Sequence, residues 1–180
     1  MLADARVIAH EVTYGPEGAQ AQLGEAVLRV PFLGRFYFEN VLAAVAIVES
    51  LGFARAEVVA AVERLEAIPG RLERLSHEGI EVIVDYAYEP YALEALYEAI
   101  GALDYGRVIH VTGSAGGGRD VARRQVIGTL SAQRDDVVIV TNEDPYDEDP
   151  MQIINDVADA VAAAGKVDGE TLFRILDRQE

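Results

Sequence analysis

The chain has 180 residues, 51% of them hydrophobic and 26% charged, enough apolar material to bury a core and to exclude intrinsic disorder as the main description. Fifteen Lys and Arg against 31 Asp and Glu leave a formal net charge of −16, which opposes nonspecific binding to nucleic-acid phosphates or anionic lipid. The absence of cysteine excludes a disulfide scaffold, a thiolate metal site and thiol catalysis. No apolar run reaches the roughly 18 residues that cross a bilayer, and the N-terminal MLADARVIAHE lacks a signal-peptide pattern. A cytoplasmic protein with neither nucleic acid nor membrane as partner is the expectation. Lys166 is the one lysine beside fourteen arginines, and arginine suits a forked grip on phosphate or carboxylate better than base or Schiff-base chemistry.

In chain order, Arg6–Thr13, Gln20–Leu23 and Ala26–Phe32 are short, partly alternating runs punctuated by Gly15-Pro16-Glu17-Gly18 and Gly24, the pattern of strands joined by turns. Asn40–Leu51 predicts a buried helix stopped by Gly52. A second helix, Ala54–Glu66, carries Val58, Val59, Val62 and Leu65 at helical spacing. Pro69-Gly70 is the best candidate for a domain boundary. Beyond it the rhythm becomes β-α-β-α: strand Glu81–Asp85, helix Pro90–Leu103, strand Arg107–Thr112, helix Val121–Gln133, strand Asp136–Thr141, helix Asp149–Ala164. Near-continuous apolar runs alternating with helices predict an α/β fold of parallel strands covered on both faces. Ligands of such sheets sit beyond the carboxyl ends of the strands. The segments there are Asp85–Pro90, Thr112–Asp120 and Thr141–Pro150, which are expected to converge on one rim.

Gly113-Ser114-Ala115-Gly116-Gly117-Gly118-Arg119-Asp120 follows a strand and opens a helix, a setting in which backbone N–H groups can approach an anion. Its spacing is G-x-x-x-x-G, but Arg-Asp stands where a Walker A loop has Lys-Ser/Thr, and it is not G-x-G-x-x-G. A flexible strand-to-helix turn is the plain alternative. Arg119, Arg123 and Arg124 add positive charge to this helix start, with surface solvation the plain alternative for the last two. Asp85 could meet ribose hydroxyls or hold a metal through water, with a helix N-cap or turn residue the plain alternative. The acidic run Glu143–Asp149 could bind an amino group or Mg²⁺ or be a solvated loop, and Asp149-Pro150 also reads as a helix start. His10, His77 and His110 have no metal-ligand spacing and read as strand or loop residues. No metal site is expected. Neither G-x-S-x-G nor H-E-x-x-H occurs, so hydrolase templates get no support.

Read in order, these segments resemble the Mur ligase family, most of all its UDP-N-acetylmuramyl-tripeptide synthetase branch. Leu33–Ala44 is similar to the family's G-x-F-N-x-x-N-x-L-A-A stretch, Pro69–Glu73 to its G-R-x-E segment and Asp85–Glu94 to D-Y-A-H-T-P-D-A-L-E. Gly116–Asp120 with Arg123-Arg124 resembles G-G-D-R-D-x-x-K-R, Thr141–Pro150 resembles T-x-D-N-P-R-x-E-D-P, and Asp177-Arg178 matches a later D-R. The resemblance implies the end of a central ATP-binding domain over residues 1–70. Over 71–180 it implies a Rossmann-like C-terminal domain truncated at its end, a mostly parallel sheet with helices on both faces. It implies an ATP- and Mg²⁺-dependent ligase that activates a carboxylate as an acyl phosphate and joins an amino acid to a UDP-muramyl peptide.

Residue by residue, the resemblance places Asn40, Arg71 and Asp85 at the nucleotide, with Arg71 near the phosphates and Asp85 at the ribose. It places Gly117, Gly118, Arg119, Asp144 and Tyr146 towards the incoming amino acid. Tyr37 and Tyr88-Glu89 depart from the family's Asn and His-Thr. Tyr146 replaces the arginine of D-N-P-R, which disfavours diaminopimelate as acceptor because tyrosine cannot make the charged fork. The family's P-loop, metal-binding glutamate and carbamylated lysine have no counterpart in this chain, so no catalytic set is complete here, neither ATP nor Mg²⁺ is expected to be tightly held, and no ligase turnover is expected of the chain alone. A stand-alone nucleotide- or anion-binding module without catalysis is the alternative, and exposed N-terminal strands allow self-association.

Overall fold

The computed structural model describes residues 7–118 and 121–179. They form two compact units: the chain up to Tyr86 together with Ala95–Leu103, and Ala87–Glu94 together with the chain from Asp104 onward.

The first unit opens with an antiparallel meander of β1 (His10–Gly15), β2 (Gly18–Leu23) and β3 (Ala26–Val30), in that spatial order. Period-two patterning decides its faces: Ala19, Ala21 and Leu23 are buried with Leu28 and Val30, while Gln20 and Arg29 face outward. Gly18 permits the tight return. Its φ is +136°, and a Cβ there would lie 2.1 Å from the Val30 carbonyl oxygen. A register shift between His10 and Thr13, with Glu11 at φ 52°, bends the β1 edge, which works against pairing with a further strand.

Two helices, α1 (Arg35–Ser50) and α2 (Arg55–Val62), cover this sheet. α1 buries Phe38, Val41 and Val45 at i, i+3 and i+7, and α2 buries Val58, Val59 and Val62. Each such side chain contributes roughly 1.5–3 kcal/mol on leaving water. α1 starts five residues before the expected Asn40 because Phe38 continues the Val41 stripe, while Phe36 and Tyr37 pack ring on ring at 5.1 Å. Glu49 and Arg55 join the two helices through a double hydrogen bond of 2.6 and 2.8 Å.

The strand expected at Glu81–Asp85 is corrected in partner and setting. It is β5 (Ile80–Val84), paired antiparallel with β4 (Glu73–His77) in a two-stranded hairpin and not in a parallel sheet. Glu78 and Gly79 make the turn, both at positive φ, as a two-residue hairpin loop demands. Of its apolar residues only Ile83 joins a core, with Leu33, Leu72 and Ala99, the last from the end of α3 (Pro90–Ile100); Ile80, Val82 and Val84 are exposed.

The second unit contains a parallel sheet of β6 (Ile109–Thr112), β7 (Val137–Thr141) and β8 (Leu172–Ile175), in the order β6-β7-β8. The α/β class expected from the alternation of strands and helices holds. α4 (Ala122–Arg134) and α5 (Pro150–Ala163) cross between the strands, and Ala132, Ile154, Val157, Ala158 and Val161 close over Val138, Val140 and Leu172. No helix among the described residues is long and apolar enough to cross a membrane.

α4 and α5 are in close contact at Gly128, where a Cβ would lie 2.4 Å from the Val157 carbonyl oxygen and 2.8 Å from the Ala160 Cβ. Helix propensity alone favours alanine there by about 1 kcal/mol. Overpacking decides the sign instead, and Gly128→Ala is expected to destabilise the chain by about 1–3 kcal/mol. Urea unfolding of the two proteins checks this; an unchanged or higher midpoint for the variant contradicts it.

Candidate functional site

Because β6 and β7 are adjacent and parallel, the segments that follow them leave the same edge of the sheet. The glycine-rich loop after β6 lies directly on the acidic loop after β7. A Cβ at Gly113 would sit 2.6 Å from the Thr141 carbonyl oxygen, and one at Gly116 would sit 2.2 Å from that of Pro145. The Gly116 N–H donates to the Asp144 carbonyl at 2.8 Å. At Gly117 the space for a side chain is taken by the Tyr146 ring, 3.2 Å from a Cβ built there. These glycines are therefore required by loop-on-loop packing as much as by any ligand.

Glu148 occupies the end of the glycine-rich loop. Its Oε1 accepts the Gly118 N–H at 3.0 Å, and its Oε2 accepts from the Arg124 guanidinium at 2.9 Å. The Arg124 fork also donates to Asp156 of α5 at 2.9 Å and to the Ala115 carbonyl at 3.3 Å. Arg124 is 2% exposed. Burial works against its charge, but the Glu148 and Asp156 hydrogen bonds outweigh it and raise the guanidinium pKa further. Its neighbour Arg123, 8% exposed, donates to Glu89 at 2.6 Å and lies over the Tyr88 ring, 5.1 Å from the centroid. Surface solvation, the plain alternative for both arginines, is thus corrected. Each is drawn inward by carboxylates from loops that no local pattern connects to it.

The residues expected at the amino-acid side meet here in part. Gly117, Gly118, Asp144 and Tyr146 share the rim, with Tyr146 at φ 53° and 65% exposed; Arg119 lies outside the described residues. Asp149 caps α5, accepting the Met151 N–H at 2.8 Å with Pro150 beside it, so the helix-start reading of Asp149-Pro150 holds.

The residues expected at the nucleotide side lie in the first unit. The Asp85 carboxylate accepts the Leu72 N–H at 2.7 Å. The Tyr37 hydroxyl donates to the Arg71 carbonyl, and the Arg71 guanidinium stands 5.4 Å from the Tyr86 ring centroid. Burial, then the Asp85 carboxylate, push the Tyr37 phenol above its ordinary range, so at neutral pH it is a proton donor. Asn40 is exposed on α1, one turn beyond Tyr37 and on the same side of the helix. Tyr37 was not among the expected site residues; its place in the stretch that resembles the family motif was the available signal.

A Ser-His-Asp grouping also forms, at the other end of β6. His110 Nδ1 lies 3.0 Å from Asp135 Oδ2 and 3.2 Å from Ser131 Oγ. Both partners face the same ring nitrogen, so no proton can pass from serine through the ring to aspartate as in a hydrolytic triad.

Residues 70–180 match the family model described as Mur ligase, glutamate ligase domain. The chain belongs to the Mur ligase family. It is 36% identical over 170 residues to the UDP-N-acetylmuramoyl-L-alanyl-D-glutamate–2,6-diaminopimelate ligase of Geobacter sulfurreducens, covering 92% of this chain and 33% of the relative. It is 40% identical over 156 residues to a UDP-N-acetylmuramyl-tripeptide synthetase of a Roseiflexus species, covering 86% of this chain and 30% of the relative. Among solved structures, the folylpolyglutamate synthase of Mycobacterium tuberculosis complexed with ADP matches with a TM-score of 0.75 at 20% identity, over 96% of this chain and 38% of that one. That likeness is one of fold. The chain spans about a third of the length of the curated relatives it matches.

The Gly118 N–H first, and Arg124 second, hold the Glu148 carboxyl below the ordinary range of a glutamate. A carboxyl lowered in the folded state stabilises the fold at pH above its unfolded value, and this contribution is lost as pH falls through the folded value. Glu148→Gln is therefore expected to lower the thermal midpoint at pH 7, with the gap to the parent chain narrowing as acidification protonates the carboxyl. Melting curves across pH check this; a gap that stays constant or widens on acidification contradicts it.

Proposed function

We propose that this chain is the acceptor-side portion of an ATP-dependent amino-acid ligase of peptidoglycan precursor synthesis. The whole enzyme would activate the carboxylate of a UDP-muramyl peptide as an acyl phosphate and couple it to an amino acid. The observation that carries the reading is the rim of the second unit, where the two loops that resemble the family's substrate motifs pack on each other within the matched span. The activities for which the Geobacter and Roseiflexus relatives are named support it. Residues 1–70 are read as the end of the central domain and 71–180 as the C-terminal domain.

In this reading Gly117, Gly118, Arg119, Asp144 and Tyr146 face the incoming amino acid. Asn40, Arg71 and Asp85 serve the nucleotide, ATP in the whole enzyme. Among the described residues no group of three or more His, Cys, Asp or Glu is placed to hold a metal ion. What these loops do is bind and orient. Asp144 and Tyr146, both exposed on the rim, offer an acidic and aromatic surface to the acceptor, suited to an ammonium group by charge and by ring-face attraction. Tyr146 has no charged fork for a second carboxylate, which favours a cationic acceptor such as lysine over diaminopimelate.

Phosphoryl transfer is catalysed mainly by positioning and by neutralising charge on the transferred group, and the sequence holds no G-x-x-x-x-G-K-S/T loop to do so. Incubated with a UDP-muramyl dipeptide, ATP and an amino-acid panel, the 180-residue chain is expected to release no ADP above background. Stoichiometric ADP release by the chain alone would overturn its assignment as a part that depends on a P-loop partner. The alternative of a stand-alone anion-binding module is weakened because the Gly118 N–H already donates to Glu148.

A further inference from the structure

We propose that Arg123 and Arg124 are positioning residues that hold two substrate-facing segments on one turn of α4, Arg124 as a fixed clamp and Arg123 as a releasable one. The functional half of this proposal rests on the acceptor-side reading of the rim. The two arginines are sequence neighbours, both more than nine-tenths buried, yet they serve different segments. Arg124 binds Glu148 of the acidic loop, the Ala115 carbonyl of the glycine-rich loop and Asp156 of α5. Arg123 reaches back to Glu89 and Tyr88, in the stretch that follows Asp85.

Their bonding differs in kind. Arg124 spreads its donors over two carboxylates and a carbonyl, so any shift of the acidic loop takes a partner from a buried charge, which is costly. Arg123 donates from one nitrogen to a carboxylate that is half exposed, and its Nε is buried without a hydrogen-bond partner. Solvent competes for such an exposed carboxylate, so this hold is the weaker one. The loop beside Tyr146 is therefore kept in place before any ligand arrives, as a site that orients an attacking amine requires, while the Tyr88–Pro90 segment is tied to α4 by the weaker pair.

Amide hydrogen exchange on the 180-residue chain tests this directly. Arg124→Lys keeps the charge but loses the fork, and Glu148→Gln keeps the shape but loses the charge. Each is expected to speed exchange at Gly116 and Gly118 about tenfold or more, and Val138 and Val157 far less, as local opening beyond any global loss demands. The double variant should be no faster than either single one, the signature of one shared interaction. Arg123→Gln should speed exchange at Leu93, whose N–H bonds to the Glu89 carbonyl, and leave Gly118 alone. Parent-like exchange at Gly116 and Gly118 in both Arg124→Lys and Glu148→Gln overturns the proposal, as does equal acceleration at Val138 and Val157. Titration with L-lysine, read at the amides of Asp144 and Tyr146, separates the two ideas. Response by the parent chain, with affinity about tenfold weaker in Arg124→Lys at a temperature well below the unfolding transition of either protein, supports positioning. Equal affinity in both overturns it. A parent chain that does not respond overturns the acceptor-side reading, and the exchange rates still decide the clamp.

Discussion

The buried guanidinium of Arg124 is the constraint around which the second unit is organised. Taking a charge out of water costs several kcal/mol per ion, and only well-made partners offset it. Here the partners come from three places: Asp156 on α5, Glu148 on the loop after β7, and the Ala115 carbonyl on the loop after β6. One side chain on α4 thereby ties together a helix and two loops. Glu148, held from one side by Arg124, receives the Gly118 N–H from the other. The loops cannot separate without leaving a charge or an amide unsatisfied, and they cannot close without glycine at 113 and 116, where a Cβ would meet carbonyl oxygens.

This arrangement changes what the glycine-rich loop signifies. Glycines between a strand and a helix suggest backbone N–H groups aimed at a bound anion. In this chain Glu148 supplies that anion internally at Gly118, and the remaining glycines give access to a neighbouring loop. The two meanings are indistinguishable in one dimension, because both need a backbone without side chains. They part only when the partner loop is in view. The Ser131, His110 and Asp135 grouping teaches the same lesson in reverse, since residue types that suggest catalysis converge on a single ring nitrogen.

What was legible in the sequence follows from which interactions are local. The meander, both helices of the first unit, and the alternation of β6, α4, β7 and α5 were visible because period-two and helical spacing are properties of contiguous residues. The motif order that resembles the Mur ligases was likewise legible, and the match over residues 70–180 bears it out. β4 and β8 were missed. Glu73–His77 is largely polar, and Leu172–Ile175 is four residues interrupted by Arg174, so neither presents a run long enough to read. β5 was found as a strand but assigned to the wrong kind of sheet. Its Val-Ile-Val core looks like a strand buried on both faces, whereas its hairpin exposes Ile80, Val82 and Val84. Burial of Arg123 and Arg124 was illegible, because their carboxylate partners lie 34 and between 24 and 32 positions away.

The distribution of arginines bears on how this chain can meet a polyphosphate. An acidic protein rich in arginine might be thought to hold those side chains ready for phosphate. The structure directs many of them inward or sideways: Arg29 to Glu63, Arg35 to Glu39, Arg55 to Glu49, Arg74 to Glu81, Arg123 to Glu89, Arg124 to Glu148 and Asp156, Arg174 to Asp159 and Asp168. Each pair cancels the positive charge an incoming polyphosphate would need. Arg71 differs, exposed and set against the face of Tyr86, and it falls in the segment that resembles the family's nucleotide motif. One guanidinium against a polyphosphate, in a chain of net charge −16, leaves most of the ligand's charge unneutralised. The same carboxylates that pin the acceptor loops therefore make them inhospitable to free nucleotide. A rim that presents carboxylates and an exposed tyrosine ring favours an ammonium group over a phosphate by charge.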